Sequence, residues 1–236
     1  ASGNAGKLTV NTKKLSVRDG ARIDSSATVL GNSGSITVNA SESVEVSGVD
    51  VGSGLPSLIN SSANILDEAL RIRLRLPEKP FGDSGNLTIN TPQLVVKDGA
   101  KVSVQNQGFG DGGTLEINAK SILLDTQGGI TAATESGEGG DIKINLHSAL
   151  LMRRGSAINT ESLGKGNGGN ININSPVIGS FENSDIIANA VEGNGGNIEL
   201  TTQGIFGLEF RDELTEESDI TASSQFGLSG TEEINN

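Results

Sequence analysis

The chain has 236 residues, a formal net charge of −12 and no cysteine. The charge argues against nucleic-acid binding, which requires a basic face, and the lack of cysteine excludes thiol catalysis and cysteine-ligated metals. With 33 glycines and 3 % aromatic residues the chain does not suit an ordinary globular core, yet its Ile, Leu and Val residues are too regularly placed for a disordered one. No apolar run reaches the length of a membrane-spanning helix, so we expect no membrane insertion.

A nine-residue motif with two glycines recurs along the chain, first as GNAGKLTVN at residues 3–11 and next as GNSGSITVN at residues 31–39. Its copies start at Gly3, Gly31, Gly82, Gly110, Gly137, Gly166, Gly193 and Gly227. Most starts are 27 to 29 residues apart, with one gap of 51 and a last gap of 34. Since the chain begins and ends inside this repeat, we expect a fragment of a longer protein, folded as one domain over residues 1–236.

Each copy contains three short segments in which apolar and polar residues alternate. In the first copy they are residues 8–10, 15–17 and 22–24, with Asp19-Gly20 between the last two. The alternation predicts strands with one buried face, and the glycines and asparagines between them predict turns with positive φ. Three short strands cannot bury a face alone, so each must stack on its equivalent in the next copy. The sequence therefore predicts an all-β fold, a right-handed parallel β-helix (solenoid) of about eight coils of roughly 28 residues.

Stacking of equivalent residues predicts three interior columns and one outward polar column. The first interior column is Leu8, Ile36, Leu87, Leu115, Ile142, Ile171 and Ile198. The second is Val10, Val38, Ile89, Ile117, Ile144, Ile173 and Leu200, and the third is Ile23, Ile59, Val102, Ile130, Ile158, Ile186 and Ile220. One position of each copy carries Asn11, Asn39, Asn90, Asn118, Asn145 or Asn174. These side-chain amides are predicted to form an asparagine ladder along the axis.

The 51-residue gap contains an insertion at residues 64–81. Within it, residues 70–76 alternate, which places Arg71, Arg73 and Arg75 on one side if the segment is extended. Alternatively, a short helix begins near residues 65–70 and packs on the rod. The three arginines are candidate contacts for a sulfated or carboxylated glycan. The competing interpretation, which we favour from the sequence, is a loop whose arginines pair with the acidic rod.

A second interruption covers residues 204–218, before the last coil, and contains an acidic run as well as Phe206, Leu208 and Phe210. These three apolar residues are candidates to close off a coil or to contact a following segment. The ends of a β-helix are unpaired strand edges, which readily add another chain. We therefore expect end-to-end self-association as one mode of assembly.

Candidate residues for chemistry are few. Calcium binding through the glycine loops is disfavoured, because calcium-binding repeats recur every nine residues and carry an Asp after the glycines. A polysaccharide lyase or glycosidase needs clustered carboxylates, and the outward Asp24, Glu116 and Asp125 do not cluster in the predicted register. The lone His147 has no evident partner. We predict no catalytic residue, no cofactor and no metal site, and hence no enzyme.

The run Gly-Asn-Gly-Gly-Asn-Ile-Asn-Ile-Asn at residues 166–174, with an apolar strand, a glycine turn and Ile-Asn-Thr or Ile-Thr-Ala strands, resembles the filamentous-haemagglutinin-like repeats of secreted cyanobacterial proteins. Residues 204–211 and 218–230 are similar to a block near the end of the repeat region in that family of two-partner secretion exoproteins. The resemblance covers nearly the whole chain except residues 64–81. It implies export through an outer-membrane β-barrel transporter and a β-helical shaft outside the cell, and it supplies no catalytic residues.

Together these features predict a secreted, cell-surface protein whose segment here is a structural shaft or adhesin stalk. The alternative is the binding of extracellular polysaccharide along an exposed strand face, with Arg71, Arg73 and Arg75 contributing. A lyase or glycosidase comes third.

Overall fold

The computed structural model describes residues 3–235, which form eighteen strands and one short helix. In chain order the strands are β1 (Leu8–Arg18), β2 (Arg22–Asp24), β3 (Ile36–Ser47), β4 (Leu58–Asn60), β5 (Leu87–Lys97), β6 (Lys101–Ser103), β7 (Leu115–Asp125), β8 (Gly129–Thr131), β9 (Ile142–Met152), β10 (Ala157–Asn159), β11 (Ile171–Asn174), β12 (Val177–Ser180), β13 (Asp185–Ile187), β14 (Asn197–Thr201), β15 (Gly204–Phe206), β16 (Glu209–Phe210), β17 (Asp219–Thr221) and β18 (Thr231–Asn235). The helix α1 (Glu68–Leu74) lies between β4 and β5.

The strands form two parallel sheets, and the chain crosses from one to the other in every coil. Sheet A has ten strands and follows the order β1-β3-β5-β7-β9-β11-β14-β18, with β12 beside β9 and β15 beside β12. Sheet B has eight strands in the order β16-β17-β13-β10-β8-β6-β4-β2. Successive neighbours in each sheet come from successive coils, apart from β16. The predicted parallel β-helix is therefore confirmed, with seven coils that reach sheet B and the first strand of an eighth.

All three predicted interior columns are present in the expected register. Ile36 pairs with Leu8 and Leu87 in the first column, and the pairing continues to Ile198. The second column runs in the same strands, and the third runs through sheet B from Ile23 to Ile220. From the second coil to the seventh these side chains are at most 1 % exposed. The rod is thus filled by stacked aliphatic side chains, which explains how so few aromatic residues suffice.

The first and second predicted strands of each coil are one continuous strand in the first five coils, which corrects the prediction of three short strands. In β1 the ladder with β3 continues across both segments, with a register shift between Thr12 and Lys14. A bulge of this kind bends a strand without ending it. These two segments are separate strands only in the sixth and seventh coils, and in the sixth Pro176, which has no N–H for the ladder, separates β11 from β12.

The sequence predicts that the motif glycines adopt positive φ, and this prediction is wrong. The structure instead requires glycine at these positions because neighbouring coils approach closely. A Cβ on Gly169 would lie 2.0 Å from the carbonyl oxygen of Gly140 in the preceding coil, and equivalent motif glycines have comparable contacts. None of the motif glycines among the described residues has positive φ. The prediction of positive φ holds for the other turn, where Asp19-Gly20 and Asp98-Gly99 adopt it.

The first insertion forms the helix and not the extended segment. Asp67 caps α1 by accepting the N–H groups of Ala69 and Leu70 at 3.0 and 3.2 Å, and Arg75 ends it in the left-handed conformation. The return leg docks on the rod through the Phe81 and Phe109 rings, whose centroids are 5.2 Å apart. The alternation in residues 70–76 was ambiguous because a short apolar run fits a helix or a strand.

Candidate functional site

The asparagine ladder is confirmed over five of its six predicted members. The Nδ2 of Asn39 donates to Oδ1 of Asn11 at 2.8 Å, and Asn90 continues the chain to Asn39 at 2.8 Å. Asn118 and Asn145 extend it at 3.1 and 3.0 Å. The three inner amides each donate and accept, whereas Asn11 only accepts and Asn145 only donates, so the ladder ties five consecutive coils together along one outward edge of the rod.

The prediction is wrong for the sixth member, Asn174. It is in register with Asn145 but makes no side-chain hydrogen bond to it within the described residues. Asn174 is the last residue of β11, whereas Asn145 lies in the middle of β9. The chain leaves the strand ladder at this point, so the Asn174 side chain is not held in line.

Replacing Asn90 by alanine is expected to destabilise the rod by about 1–2 kcal/mol, because two side-chain hydrogen bonds of the ladder are lost. Asn174→Ala, at the equivalent position without a ladder bond, is the matched control and should change the free energy of unfolding little. Urea unfolding followed by circular dichroism measures both. Equal effects of the two substitutions would contradict a stabilising ladder.

A second ladder escaped prediction from the sequence. Its members are the second residues of the motif, and the side-chain oxygen of each accepts the backbone N–H of the equivalent residue in the next coil. The acceptors are Asn4, Asn32, Asp83, Asp111, Glu138, Asn167 and Asn194. The signal was present, since this position holds only Asn, Asp or Glu until Leu228. These polar side chains supply acceptors to backbone N–H groups at the corner of each coil.

The structure does not bring the three predicted arginines together. Arg71 and Arg73 lie two positions apart in α1, which places them on different sides of the helix, and Arg75 is its C-cap. No carboxylate among residues 3–235 lies within 4.0 Å of any of the three, so the pairing with the acidic rod that we favoured is also wrong. No residue of α1 is buried as a whole, and Arg73 and Arg75 are exposed. Arg71 is half-buried, and its Nε is shielded from solvent with no hydrogen-bond partner among the described residues.

A groove that the sequence did not indicate runs along the outer face of sheet B. It consists of three adjoining depressions of about 870, 430 and 430 Å³, which share Gln105 and Glu161 where they meet. Ile65 of the first insertion contributes to the wall at one end, and Asp212 and Glu213 of the second interruption contribute at the other. We call this feature the sheet B groove. Both interruptions of the repeat therefore border the same face of the rod.

The lining of the sheet B groove is polar, and it carries charges of both signs toward the first insertion but only acidic charges toward the second. Short hydroxyl, amide and carboxylate side chains line the groove in five successive coils, namely Asp24, Asn60, Ser103, Thr131 and Asn159. Arg22 and Lys101 lie toward the first insertion, whereas Glu161, Asp212 and Glu213 lie toward the second. The exposed part of this lining combines amide groups with acidic side chains, and it matches a neutral, hydroxyl-rich chain better than a polyanion.

The residues considered for enzymatic chemistry lie apart from one another. Asp24 is in β2 of sheet B, whereas Glu116 and Asp125 lie at opposite ends of β7 in sheet A. Asp125 forms an ion pair with Arg154, and a ring nitrogen of His147 lies 3.2 Å from a backbone carbonyl oxygen. No three His, Asp or Glu side chains in the described part of the chain gather in a way that could hold a metal ion.

No helix within residues 3–235 is long and apolar enough to cross a membrane. Comparisons of the chain with protein-family models, with curated proteins and with solved structures found no match.

Proposed function

We propose that this chain is a structural shaft, a segment of the stalk of a secreted surface or fibre protein, and that its role is mechanical and not catalytic. The observation that carries the proposal is the unbroken parallel pairing of sheet A from β1 to β18, with sheet B stacked beside it over the same coils. Every coil is bonded to the next by backbone ladders and by at least one side-chain ladder. A chain built in this way holds its ends at a fixed distance.

The physics of the fold suits assembly outside the cell. Each coil contacts only its neighbours, so a completed coil offers the template for the next and the chain can fold as it emerges. The resemblance to two-partner secretion exoproteins supports export through an outer-membrane transporter and location at the cell surface. The chain needs no disulfide, because the side-chain ladders and the aliphatic columns already link the coils.

The experiment that tests the shaft is removal of whole coils. Deletion of residues 110–165 removes two motif repeats and joins Phe109 to Gly166, where the repeat resumes in register. We expect a folded rod shorter by about 10 Å, since parallel strands are spaced by ~4.8 Å. Deletion of residues 110–151, one and a half repeats, is the control and should prevent folding. Circular dichroism and small-angle X-ray scattering measure both; an in-register deletion that abolishes folding would contradict the proposal.

A second candidate function, the binding of a linear extracellular polysaccharide, is favoured by the sheet B groove. An extended sugar chain lying along the axis would pass over coils spaced by ~4.8 Å and meet polar side chains in the first, third and fifth of them. The three arginines of the first insertion do not line this groove, so they are no longer our candidates for it. Asn60, Ser103 and Thr131 are buried, so the candidates are the exposed or partly exposed lining residues Asp24, Gln105, Asn159 and Glu161.

The second candidate is tested by blocking the groove. Ala157 is a small lining residue, and Ala157→Trp should fill the groove there without altering the core. Lys143→Trp, on the outer face of sheet A, is the matched control. If polysaccharide binds in the groove, native gels cast with a neutral polysaccharide should retard the wild type and the control but not Ala157→Trp. Equal mobility of all three proteins in gels with neutral or acidic polysaccharide would eliminate this candidate.

A further inference from the structure

One strand of sheet B is out of chain order, beside the last described coil. Each coil contributes one strand to sheet B, and β17 is the contribution of the seventh coil. β17 is nevertheless not the edge of the sheet, because β16 lies beyond it. β16 precedes β17 in the chain and belongs to the second interruption. The N–H of Glu209 donates to the carbonyl of Ser218 at 3.2 Å, and the N–H of Arg211 donates to that of Ile220 at 3.0 Å. The chain thus passes beyond its own last coil and pairs back onto it.

The position of β16 is the position that another coil would take. In register Phe210 is the neighbour of Ile220, which is the last member of the third interior column. The N–H of Glu209 donates to the carbonyl of Ser218, the residue before β17. In the same way the N–H of Asp185, at the start of β13, donates to the carbonyl of Ser156, the residue before β10. We call residues 207–217 the cap loop. Leu208 of this loop packs against the core cluster, so the loop covers the end of the core as well as the sheet edge.

A buried carboxylate fastens the cap loop. Asp219 in β17 is fully buried and accepts hydrogen bonds from Arg211 and from the backbone N–H of Thr215, the latter at 2.5 Å. Burial alone would raise the pKa of Asp219, but the hydrogen bonds from Arg211 and Thr215 outweigh it and hold this pKa below its usual value. A buried, paired carboxylate of this kind fixes the loop geometry, because breaking the pair leaves an uncompensated charge.

The eighth coil contains a charged residue where the other coils are apolar. Glu232 is in register with Ile198, at the position that Ile or Leu occupies in all seven preceding coils. Its carboxylate accepts the N–H of Ala222 at 2.8 Å. In the preceding coil the equivalent N–H, that of Ala188, donates to the carbonyl of Thr221 in the following coil. The Glu232 side chain therefore takes the part of a missing backbone acceptor.

We propose that the cap loop and Glu232 close this end of the rod against strand addition by a second copy of the chain. On the sheet B side the exposed edge is reduced to the two residues of β16, which include Glu209 and precede Asp212 and Glu213, and short charged edges resist further pairing. On the sheet A side the edge strand is β18, which carries Glu232 and Glu233. A second copy stacked on β18 would place an apolar column on Glu232 and bury its charge without a new partner. A fibre needs two adhesive ends, so closure of one end limits the end-to-end assembly expected from the sequence.

The test restores an open end. In the uncapped variant, residues 207–217 are replaced by Ser-Phe-Glu-Asn, the sequence at positions 180–183 that leads to the equivalent strand in the preceding coil, and Glu232→Ile is added. We expect the wild-type protein to stay monomeric in multi-angle light scattering. The uncapped variant should at least double its mass as concentration rises and form rods of varied length in electron micrographs. Replacing residues 66–76 by Gly-Ser-Gly, on the side of the rod, is the control and should leave a monomer.

Two results would overturn the proposal: wild-type protein that assembles end to end, or an uncapped variant that is folded by circular dichroism and remains monomeric at high concentration. If the uncapped variant does not fold, amide hydrogen exchange of the wild type and of Glu232→Ala tests the proposal instead. In the wild type the Ala222 amide should be protected as strongly as the Ala188 amide, and Glu232→Ala should remove this protection while Ala188 keeps it. An Ala222 amide that exchanges freely in the wild type would equally overturn the cap.

Discussion

Replacing Gly169 by alanine is expected to disrupt the rod, with a loss of about 3 kcal/mol or more in the free energy of unfolding. The added Cβ would lie 2.0 Å from the carbonyl oxygen of Gly140 and 2.8 Å from its carbonyl carbon. Backbone atoms cannot rotate away as a side chain can, so the two coils must separate. Separation breaks the side-chain ladders and the strand pairing on both sides of the corner.

The matched control is Gly6→Ala, at the same position of the motif in the first coil. Among residues 3–235, leaving out its chain neighbours, no atom lies within 4 Å of a Cβ at Gly6. We expect this variant to unfold at the wild-type urea concentration. Urea unfolding and amide exchange across residues 137–174 measure the two variants. Similar stabilities for Gly6→Ala and Gly169→Ala would mean that close coil stacking is not why the motif contains glycine.

Ile144→Ala is expected to cost about 2–5 kcal/mol, the range for removing a large aliphatic side chain from a rigid core. Ile144 is fully buried and lies between Ile117 and Ile173 in the second interior column. Its stacked neighbours are held by backbone ladders on both sides, so the cavity cannot collapse. Lys143→Ala, the adjacent outward residue, is the control and should leave stability nearly unchanged. A small effect at Ile144 would mean that the columns do not carry the stability of the rod.

The repeat and the interior columns could be predicted because they depend on local alternation. A residue such as Ile117 is apolar, has polar neighbours on both sides and recurs at the same place in each copy, which leaves one arrangement that buries it. The first five members of the asparagine ladder follow from the same register. The register also predicts a ladder bond for Asn174, and that prediction is wrong, because a ladder bond needs the strand to continue on both sides of the asparagine.

The features that escaped prediction depend on contacts between distant segments. β16 pairs with β17 through only two residues, Glu209 and Phe210, and a two-residue strand has no recognisable pattern of its own. The Asp219 carboxylate that fastens the cap loop looks like any polar residue of a strand in the sequence. The sheet B groove arises because both interruptions border one face, which the repeat pattern does not specify. The N-cap of α1 was visible as Asp67, followed by helix-favouring residues, but the alternation of Leu and Arg obscured it.

Glycine meets two different structural needs in this chain, one in the repeated motif and one in the turns outside it. Gly20 and Gly99 lie in turns with positive φ, where glycine is preferred for its conformational freedom. Gly140 and Gly169 have ordinary backbone angles and are required because a carbonyl of the neighbouring coil occupies the space of a side chain. Sequence alone does not separate these cases, since both appear as glycine between strands.

The most direct test of a rigid shaft is the distance between its coils in solution. The chain has no native cysteine, so cysteines can be placed at the outward positions of one column, and spin labels attached at Thr9 and Glu233 span seven strand pairings. Labels at Thr9 and Lys143 span four. With ~4.8 Å per pairing, we predict narrow distance distributions near about 34 Å and about 19 Å in pulsed electron paramagnetic resonance. Broad distributions, or a distance that does not grow with the number of coils, would contradict the account.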